Sequence, residues 1–484
     1  MSPVSREPAV EARLVDAAII GTGQAAPALA TALSARGESV ALFEGGLLGG
    51  SCVNVGCTPT KTLRKSARIA HLARRAGEFG VQVGEVRVDV AAALSRMRDV
   101  VTRSREGLGS WIGGAAHVSL VRAWARLDGR AHDRFVVRAD AQEWHARRVY
   151  LNVGTAPALP PIPGLAESAP LTNESLLTLD VLPEALLVIG GSYIGLELGQ
   201  IFQRLGSRVT ILETAPVVAA REDEDVSARL TAMLEAEGVR VLAGVTVAEV
   251  ARHASGVRAQ VRDAQGRVEP VDGSHVLVAT GRRPNTAALG LETVGVSTDA
   301  QGYIPVDGTL ATNVAGIWAL GDVNRRGAFT HTAWQDHEIV LANHTGGART
   351  ADGRRTTYAM FTDPPLGRIG LSMREARALQ AQGRRFLSAS IDMASVSRAK
   401  EEGETTGVLS VLVDAESERF AGVTMLGIGA DEIVQVIGAL MAADAPYQVL
   451  RDALPVHPTV TEFFPTLLGR LAPLDGADSG TRPA

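Results

Sequence analysis

Cys52 and Cys57 are the only two cysteines in 484 residues, and both lie in one stretch, GGSCVNVGCTPTK, with four residues between them. A close thiol pair has three readings: part of a metal site, a centre that exchanges electrons through sulfur, or a coincidence of composition. A zinc site takes four ligands, and no third cysteine stands at metal-ligand spacing. Secreted disulfide scaffolds are cysteine-dense, so two cysteines in a long chain point to a reducing compartment, where a close pair is catalytic or metal-binding. Gly49 and Gly50 before the pair, and Pro59 and Lys61 after it, favour chemistry over coincidence.

Two further stretches must position whatever this pair acts with. In LVDAAIIGTGQAAPALATALSARG the apolar run Val15–Ile20 reads as a buried parallel strand. Gly21 and Gly23 then make a tight turn, Ala26 stands at the usual third-glycine position, and an Ala-rich helix follows. The next strand, SVALFE, ends in Glu44, 23 residues after Gly21. Strand, glycine turn, helix and a strand-end acid near that distance form a dinucleotide-binding unit: the turn lets backbone approach a pyrophosphate, the helix N-terminus favours its charge, and the acid takes ribose hydroxyls. ALLVIGGSYIGLELGQIFQRLGSRVTILE repeats the pattern with Gly190, Gly195 and Glu213, the acid again 23 residues after the first glycine and Ser192 at the second-glycine position. Two such units imply two nucleotides, and hydride transfer between them is the economical explanation.

Composition sets the frame. The size prior of about 100–200 residues per domain gives about three or four domains. Hydrophobic content of 46%, a net charge of -5 and no basic patch fit an α/β enzyme and argue against nucleic-acid binding. No stretch is apolar enough to span a bilayer, and MSPVSREPAV lacks a signal-peptide layout, so the chain reads as cytoplasmic. YLNVGTAPALPPIPG (150–164) and VLVATGRRPNTAALG (276–290) look like paired crossings between one domain and an inserted one. ATNVAGIWALGDV is a strand ending in Gly321-Asp322, with the aspartate placed for a sugar or ribitol hydroxyl. GVLSVLVDAESERFAGVTMLG reads as an antiparallel pair about a polar turn, and DGADSGTRPA as a frayed tail. Asp336 and His331 lie near where a pocket should close and receive no role.

The order of glycine turn, CxxxxC, second glycine turn, ATG turn, GD strand and HPTVTE resembles the class I pyridine nucleotide-disulfide oxidoreductases (flavoprotein disulfide reductases), over nearly the whole chain. Within that family GTGQAAPALA, GGSCVNVGCTPTKTL, AREDEDV and FTDPPLGRIGLS are most similar to mercuric-reductase-like and reactive-chlorine-resistance flavoproteins, with dihydrolipoamide dehydrogenase also similar. The resemblance implies an α/β fold of two Rossmann-like dinucleotide-binding domains, for FAD and NAD(P), plus a C-terminal α+β dimerisation domain. Its expected division is 1–156 (FAD-binding, first part), 157–280 (NAD(P)H-binding), 281–350 (FAD-binding/central, second part) and 351–484 (interface).

By that resemblance electrons pass from NAD(P)H through FAD to a Cys52–Cys57 disulfide and on to a small acceptor, with Cys57 against the flavin and Cys52 facing substrate. Lys61 sits near the flavin's reacting nitrogen, paired with Glu197, and Tyr193 gates the nicotinamide pocket. FAD is expected at Gly21, Gly23, Glu44 and Asp322 and the nicotinamide cofactor at Gly190, Gly195 and Glu213, with Gly50, Lys61, Gly154, Tyr193, Ile194, Gly281 and Gly321 as further cofactor-binding residues. His457, oriented by Glu462, is the expected acid-base partner, acting across a homodimer interface on the other subunit's cysteines. No metal-binding residue is assigned. Glu213 accepts ribose hydroxyls and repels a 2′-phosphate, which favours NADH over NADPH.

The acceptor is the open point. This chain has no cysteine pair near its C-terminus and none in an N-terminal metal-binding segment, so efficient mercury reduction is not expected, whereas detoxification of another metal ion or of an oxidant is. The alternatives are dihydrolipoamide dehydrogenase and, in another class, a redox sensor that holds FAD without turnover.

Overall fold

The structure is a computed structural model and describes residues 12–474; the expectations for the N-terminal segment MSPVSREPAV and for the tail DGADSGTRPA fall outside the described residues. In the first unit β1 (Arg13–Ile20) leads through the glycine turn into α1 (Ala26–Ser34) and β2 (Val40–Phe43). β1 and β2 are parallel neighbours, with Ala17 against Val40 and Ile20 against Phe43. Glu44 is the first residue past β2 rather than its last.

After β2 the chain makes α2 (Cys57–Arg75), the helix that carries the thiol chemistry. Pro59 sits in its first turn, where a missing N–H costs nothing, and Arg74 and Arg75 complement the dipole in its last. Leu63, Ala67 and Ala70, spaced four and three apart, form its buried stripe. On its other side β1 pairs parallel with β3 (Gln142–Leu151), within a seven-stranded sheet.

The second unit runs β4 (Ala185–Ile189), α3 (Tyr193–Leu205), β5 (Arg208–Glu213), with β4 and β5 parallel in a four-stranded sheet. The paired crossings are real: Thr155–Pro157 and Arg282–Pro284 pair antiparallel as a two-stranded ribbon where the chain leaves the first unit and returns. On return, β6 (Ile317–Ala319) rejoins the first sheet by pairing parallel to the end of β3, and α4 (Thr330–His344) follows. The last unit is a six-stranded antiparallel sheet, in which Val408–Asp414 and Phe420–Leu426 form the expected pair, covered by α5 (Ala430–Ala442). The fold class read from the sequence is the fold observed.

One apolar cluster ties the units together around α2. It takes Leu63 and Ala67 from α2, Leu198 and Phe202 from α3, and Met360 and Leu366 from the last sheet. Burial of this kind contributes about 1.5–3 kcal/mol per large side chain, so α2 is fixed from three sides. No helix among the described residues is long and apolar enough to cross a membrane.

Candidate active site

Cys57 is the first residue of α2, so its sulfur stands at the positive end of the helix dipole. Cys52 lies in the short helical turn Gly50–Asn54 just before it, and both are free thiols. A hydrogen bond from Cys52 is the largest influence on Cys57; with help from Thr330 and Lys61 against the opposing effect of burial, it lowers the Cys57 thiol to about 6. Cys52 moves the other way, pushed up by its hydrogen bond to Cys57, by burial and by the Cys57 charge. The pair is therefore asymmetric: one proton, shared unequally, leaves Cys57 as the thiolate. Cys57 Sγ also lies 3.3 Å from Thr330 Oγ1, at the start of α4. Nothing in the sequence marked Thr330, because the contact spans 273 residues.

One helical turn beyond Cys57, Lys61 Nζ donates to Glu197 Oε2 at 2.8 Å and lies 4.4 Å from the centre of the Phe361 ring. Glu197 is buried on α3, and its other oxygen accepts the Phe361 backbone N–H at 2.7 Å. The lysine–glutamate pair expected from the sequence is present; the third partner, Phe361, went unread because it acts through main chain.

These groups line a cavity of about 1380 Å³ that runs from Gly21 and Gly23 past Glu44, Gly50, Cys52 and Cys57 to Gly154, Tyr193, Ile194, Gly321 and Asp322. Gly281 is not among its lining residues, and a Cβ there would meet open space, so it is the neighbouring Arg282 that reaches the cavity. Arg282 donates to the Thr155 hydroxyl at 2.7 Å, and Thr155 donates to Asp322 at 3.1 Å. Burial raises the Asp322 carboxyl. Asp336, left without a role in the sequence, accepts the Gly321 N–H at 2.7 Å and pairs with Arg354, so it holds the Gly321-Asp322 turn from behind. His331 is spent on the Thr357 carbonyl, 2.7 Å away. Its ring stacks on Phe329, whose other neighbours are Tyr358 and Tyr193.

The two glycine turns are built alike. Gly21 has φ +93° and Gly190 φ +113°; a Cβ at either would lie 2.4 or 2.6 Å from a carbonyl oxygen, of Asn152 and Ala279 respectively. Glu44 accepts the Thr22 N–H at 3.0 Å and the Gly46 N–H at 2.7 Å, while Glu213 accepts the Gly191 N–H at 2.6 Å and the Ala215 N–H at 2.7 Å. Each carboxylate thus braces its own turn and keeps lone pairs for ribose. Gly190, Gly195 and Glu213 lie outside the large cavity and form a second cradle at its Tyr193–Ile194 end.

The residues of the large cavity fit FAD. Gly23 and Gly50 approach each other without side chains between them, leaving backbone open to a pyrophosphate. Asn152, 5% exposed, donates to the Leu320 carbonyl, but its Oδ1 has no hydrogen-bond partner and lies beside the Gly23 turn, an acceptor that suits a bound hydroxyl or water.

His457 stands apart. Its Nδ1 pairs with Glu462 Oε2 at 2.8 Å, but its side chain is 77% exposed and is not among the residues lining the cavity of its own chain. Leu454 and Val456 beside it are exposed as well. Among the described residues no group of three or more His, Cys, Asp or Glu is arranged to hold a metal ion.

A family profile described as pyridine nucleotide-disulphide oxidoreductase matches residues 15–336, and the dimerisation domain of the same family matches 356–468. This chain belongs to that family. The probable pyridine nucleotide-disulfide oxidoreductase RclA of Escherichia coli is 32% identical over 452 residues, covering 92% of this chain and 97% of RclA. A mercuric reductase of Streptomyces lividans is 34% identical over 449 residues, 92% of this chain and 93% of the reductase, and a dihydrolipoyl dehydrogenase of Cupriavidus necator is 30% identical, covering 92% and 96%. Among solved structures, the Cu(II) complex of HOCl-induced flavoprotein disulfide reductase RclA from Escherichia coli superposes with a TM-score of 0.83 at 30% identity, covering 94% of this chain and all of that one. Family membership makes the protein a flavoprotein disulfide oxidoreductase that works with FAD and a pyridine nucleotide.

Proposed function

We propose that this protein is an NADH-dependent reductase that delivers electrons through the Cys52–Cys57 pair to a small oxidised acceptor, in the manner of an oxidant- or metal-ion-detoxifying enzyme. The observation that carries this reading is the asymmetric thiol pair lining the cavity, with the Lys61–Glu197 pair one turn behind it. FAD, when bound, supplies a two-electron carrier able to take hydride from the nicotinamide and reduce a disulfide.

The chain's own groups do the rest. Reducing the disulfide to this asymmetric state takes two electrons and one proton: the proton ends on Cys52, and near neutral pH Cys57 stays ionised beside Lys61, Thr330 and the α2 N-terminus. Glu197 and the Phe361 ring hold the Lys61 side chain against the cavity. Tyr193, at the start of α3, covers the approach to the second cradle. Glu213 favours NADH, since a 2′-phosphate beside it would face a carboxylate. His457, held by Glu462, serves the cysteines of a second subunit as acid and base, and the dimerisation domain supports a homodimer.

The acceptor is read from the relatives. RclA is described as HOCl-induced and forms a Cu(II) complex, and a mercuric reductase of Streptomyces lividans is 34% identical to this chain, so Cu(II), Hg(II) and hypohalous or hypothiocyanous species form the test panel. Steady-state NADH oxidation by the holoprotein should accelerate with a member of that panel. Faster turnover of dihydrolipoamide with NAD would overturn the proposal in favour of the lipoamide enzyme, and no acceleration by any acceptor would favour a sensor.

A further inference from the structure

The face of α2 that opens with Cys57 continues through Lys61, Arg64 and Arg68, at steps of four, three and four residues, so all four lie on one side of the helix. Opposite them α3 presents Glu197, Gln200 and Arg204, at steps of three and four, all buried. Between the two rows runs the segment Phe361-Thr362-Asp363, which enters from the last unit. Lys61 meets Glu197, and the lower rungs meet at Asp363.

Asp363 is 2% exposed and held both by its carboxylate and by its main chain. Its carboxylate pairs with Arg68, with Arg204 and, at 3.3 Å, with Arg64. Gln200 clasps its main chain at both ends, accepting the Asp363 N–H at 2.8 Å and donating to its carbonyl at 2.9 Å. Arg64 also donates to the Thr362 carbonyl at 2.8 Å. Arg64, Arg68 and Arg204 face Asp363, Glu404 and Glu237, and Arg75 also reaches Glu404. Two residues upstream of this knot, the Phe361 N–H holds Glu197 and the Phe361 ring lies under Lys61.

We propose that Asp363 is a positioning residue for the redox centre: by locking residues 361–363 between α2 and α3, its carboxylate fixes the Phe361 N–H on Glu197 and thereby holds Lys61 at Cys57. It touches neither sulfur nor cofactor and acts through Phe361 and the lysine–glutamate pair. The inference rests on the reading that Cys57 is the thiolate the reaction uses. The groups facing Cys57 are Cys52, Lys61 and Glu197, with the Thr330 hydroxyl and the start of α2. Lys61 favours its ionised form and Glu197 opposes it, so a lysine that drifts from its place raises the Cys57 midpoint.

The test is a titration of Cys57 in reduced holoprotein, read as its iodoacetamide alkylation rate against pH with the modified cysteine identified by mass spectrometry. Wild type should titrate well below an ordinary thiol. Asp363→Asn should move the midpoint up by about one pH unit, Asp363→Glu should recover part of that shift, and Asp363→Asn added to Lys61→Ala should add nothing. Gln200→Leu, which loosens the same segment without removing a charge, should shift the midpoint in the same direction and carries the test if the Asp363 variants fail to fold. An unmoved midpoint in the Asp363 and Gln200 variants overturns the proposal, as does an equal shift in the Lys61→Ala background. A wild-type Cys57 that titrates as an ordinary thiol would sink the catalytic reading itself, which keeps the two failures distinguishable.

Discussion

At the scale of the residue, the decisive feature is unequal sharing of a proton between two sulfurs. The low Cys57 thiol depends first on the Cys52 hydrogen bond, so the two cysteines are not interchangeable. A depressed value near 6 means that Cys57 is ionised at neutral pH and protonates as the pH falls through 6. In reduced protein its alkylation should therefore be nearly flat above pH 7 and fall about tenfold per unit below the midpoint. Cys52→Ala removes the leading hydrogen bond and should shift that profile upward by about one unit or more, whereas Cys52→Ser, which still offers a hydroxyl, should shift it less. Equal profiles for the two variants would show that the helix terminus and Lys61 set the value without help from Cys52. The sequence made this centre legible because the pair, the glycines before it and Lys61 after it are contiguous. Thr330 and the Phe361 N–H were hidden because one reaches the site across a long gap and the other acts through an atom every residue carries.

At the scale of the element, the two strand–turn–helix units are near copies, and their glycines separate the two nucleotide sites. Adding a methyl at Gly190 costs about 1–2 kcal/mol for the left-handed backbone and more for the 2.6 Å approach to the Ala279 carbonyl. Gly190→Ala protein should stay yellow with bound FAD while its KM for NADH rises about tenfold or more. Gly21→Ala, with a 2.4 Å approach to the Asn152 carbonyl, should be purified depleted of flavin. If Gly190→Ala bleaches the protein, the assignment of the two cradles is reversed. These units were readable because period, turn and terminal acid recur at one interval. The knot of Arg64, Arg68, Arg204 and Asp363 was not: its partners look like surface charges on two separate helices until those helices are packed together. Glu213 belongs to this scale too, since it braces its turn and is the proposed ribose contact. Glu213→Gln can keep only one of the two backbone hydrogen bonds, because the Gly191 and Ala215 N–H groups donate to different carboxylate oxygens, and it should weaken NADH binding and narrow the preference over NADPH, measured as the ratio of kcat/KM values.

At the scale of the molecule, the proposed reaction calls on a second subunit to complete the centre. His457 and Glu462 are the proposed acid-base unit, yet the imidazole is exposed on a surface with Leu454 and Val456 and does not line the cavity of its own chain. An exposed leucine and valine flanking a paired histidine make sense when a second copy covers them, and the dimerisation domain gives that copy its seat. In a two-fold dimer each histidine then meets the other subunit's cysteines, which yields a test by complementation. Cys57→Ser and His457→Gln homodimers should each lose nearly all acceptor turnover. Coexpressed with different tags and purified as mixed dimers, they contain one site with both an intact thiol pair and an intact histidine. The mixed dimer should therefore recover about half of the wild-type rate per dimer, as expected for one complete site of two. If each histidine instead served its own chain, every site in the mixed dimer would lack one partner and activity would stay at the level of the inactive parents.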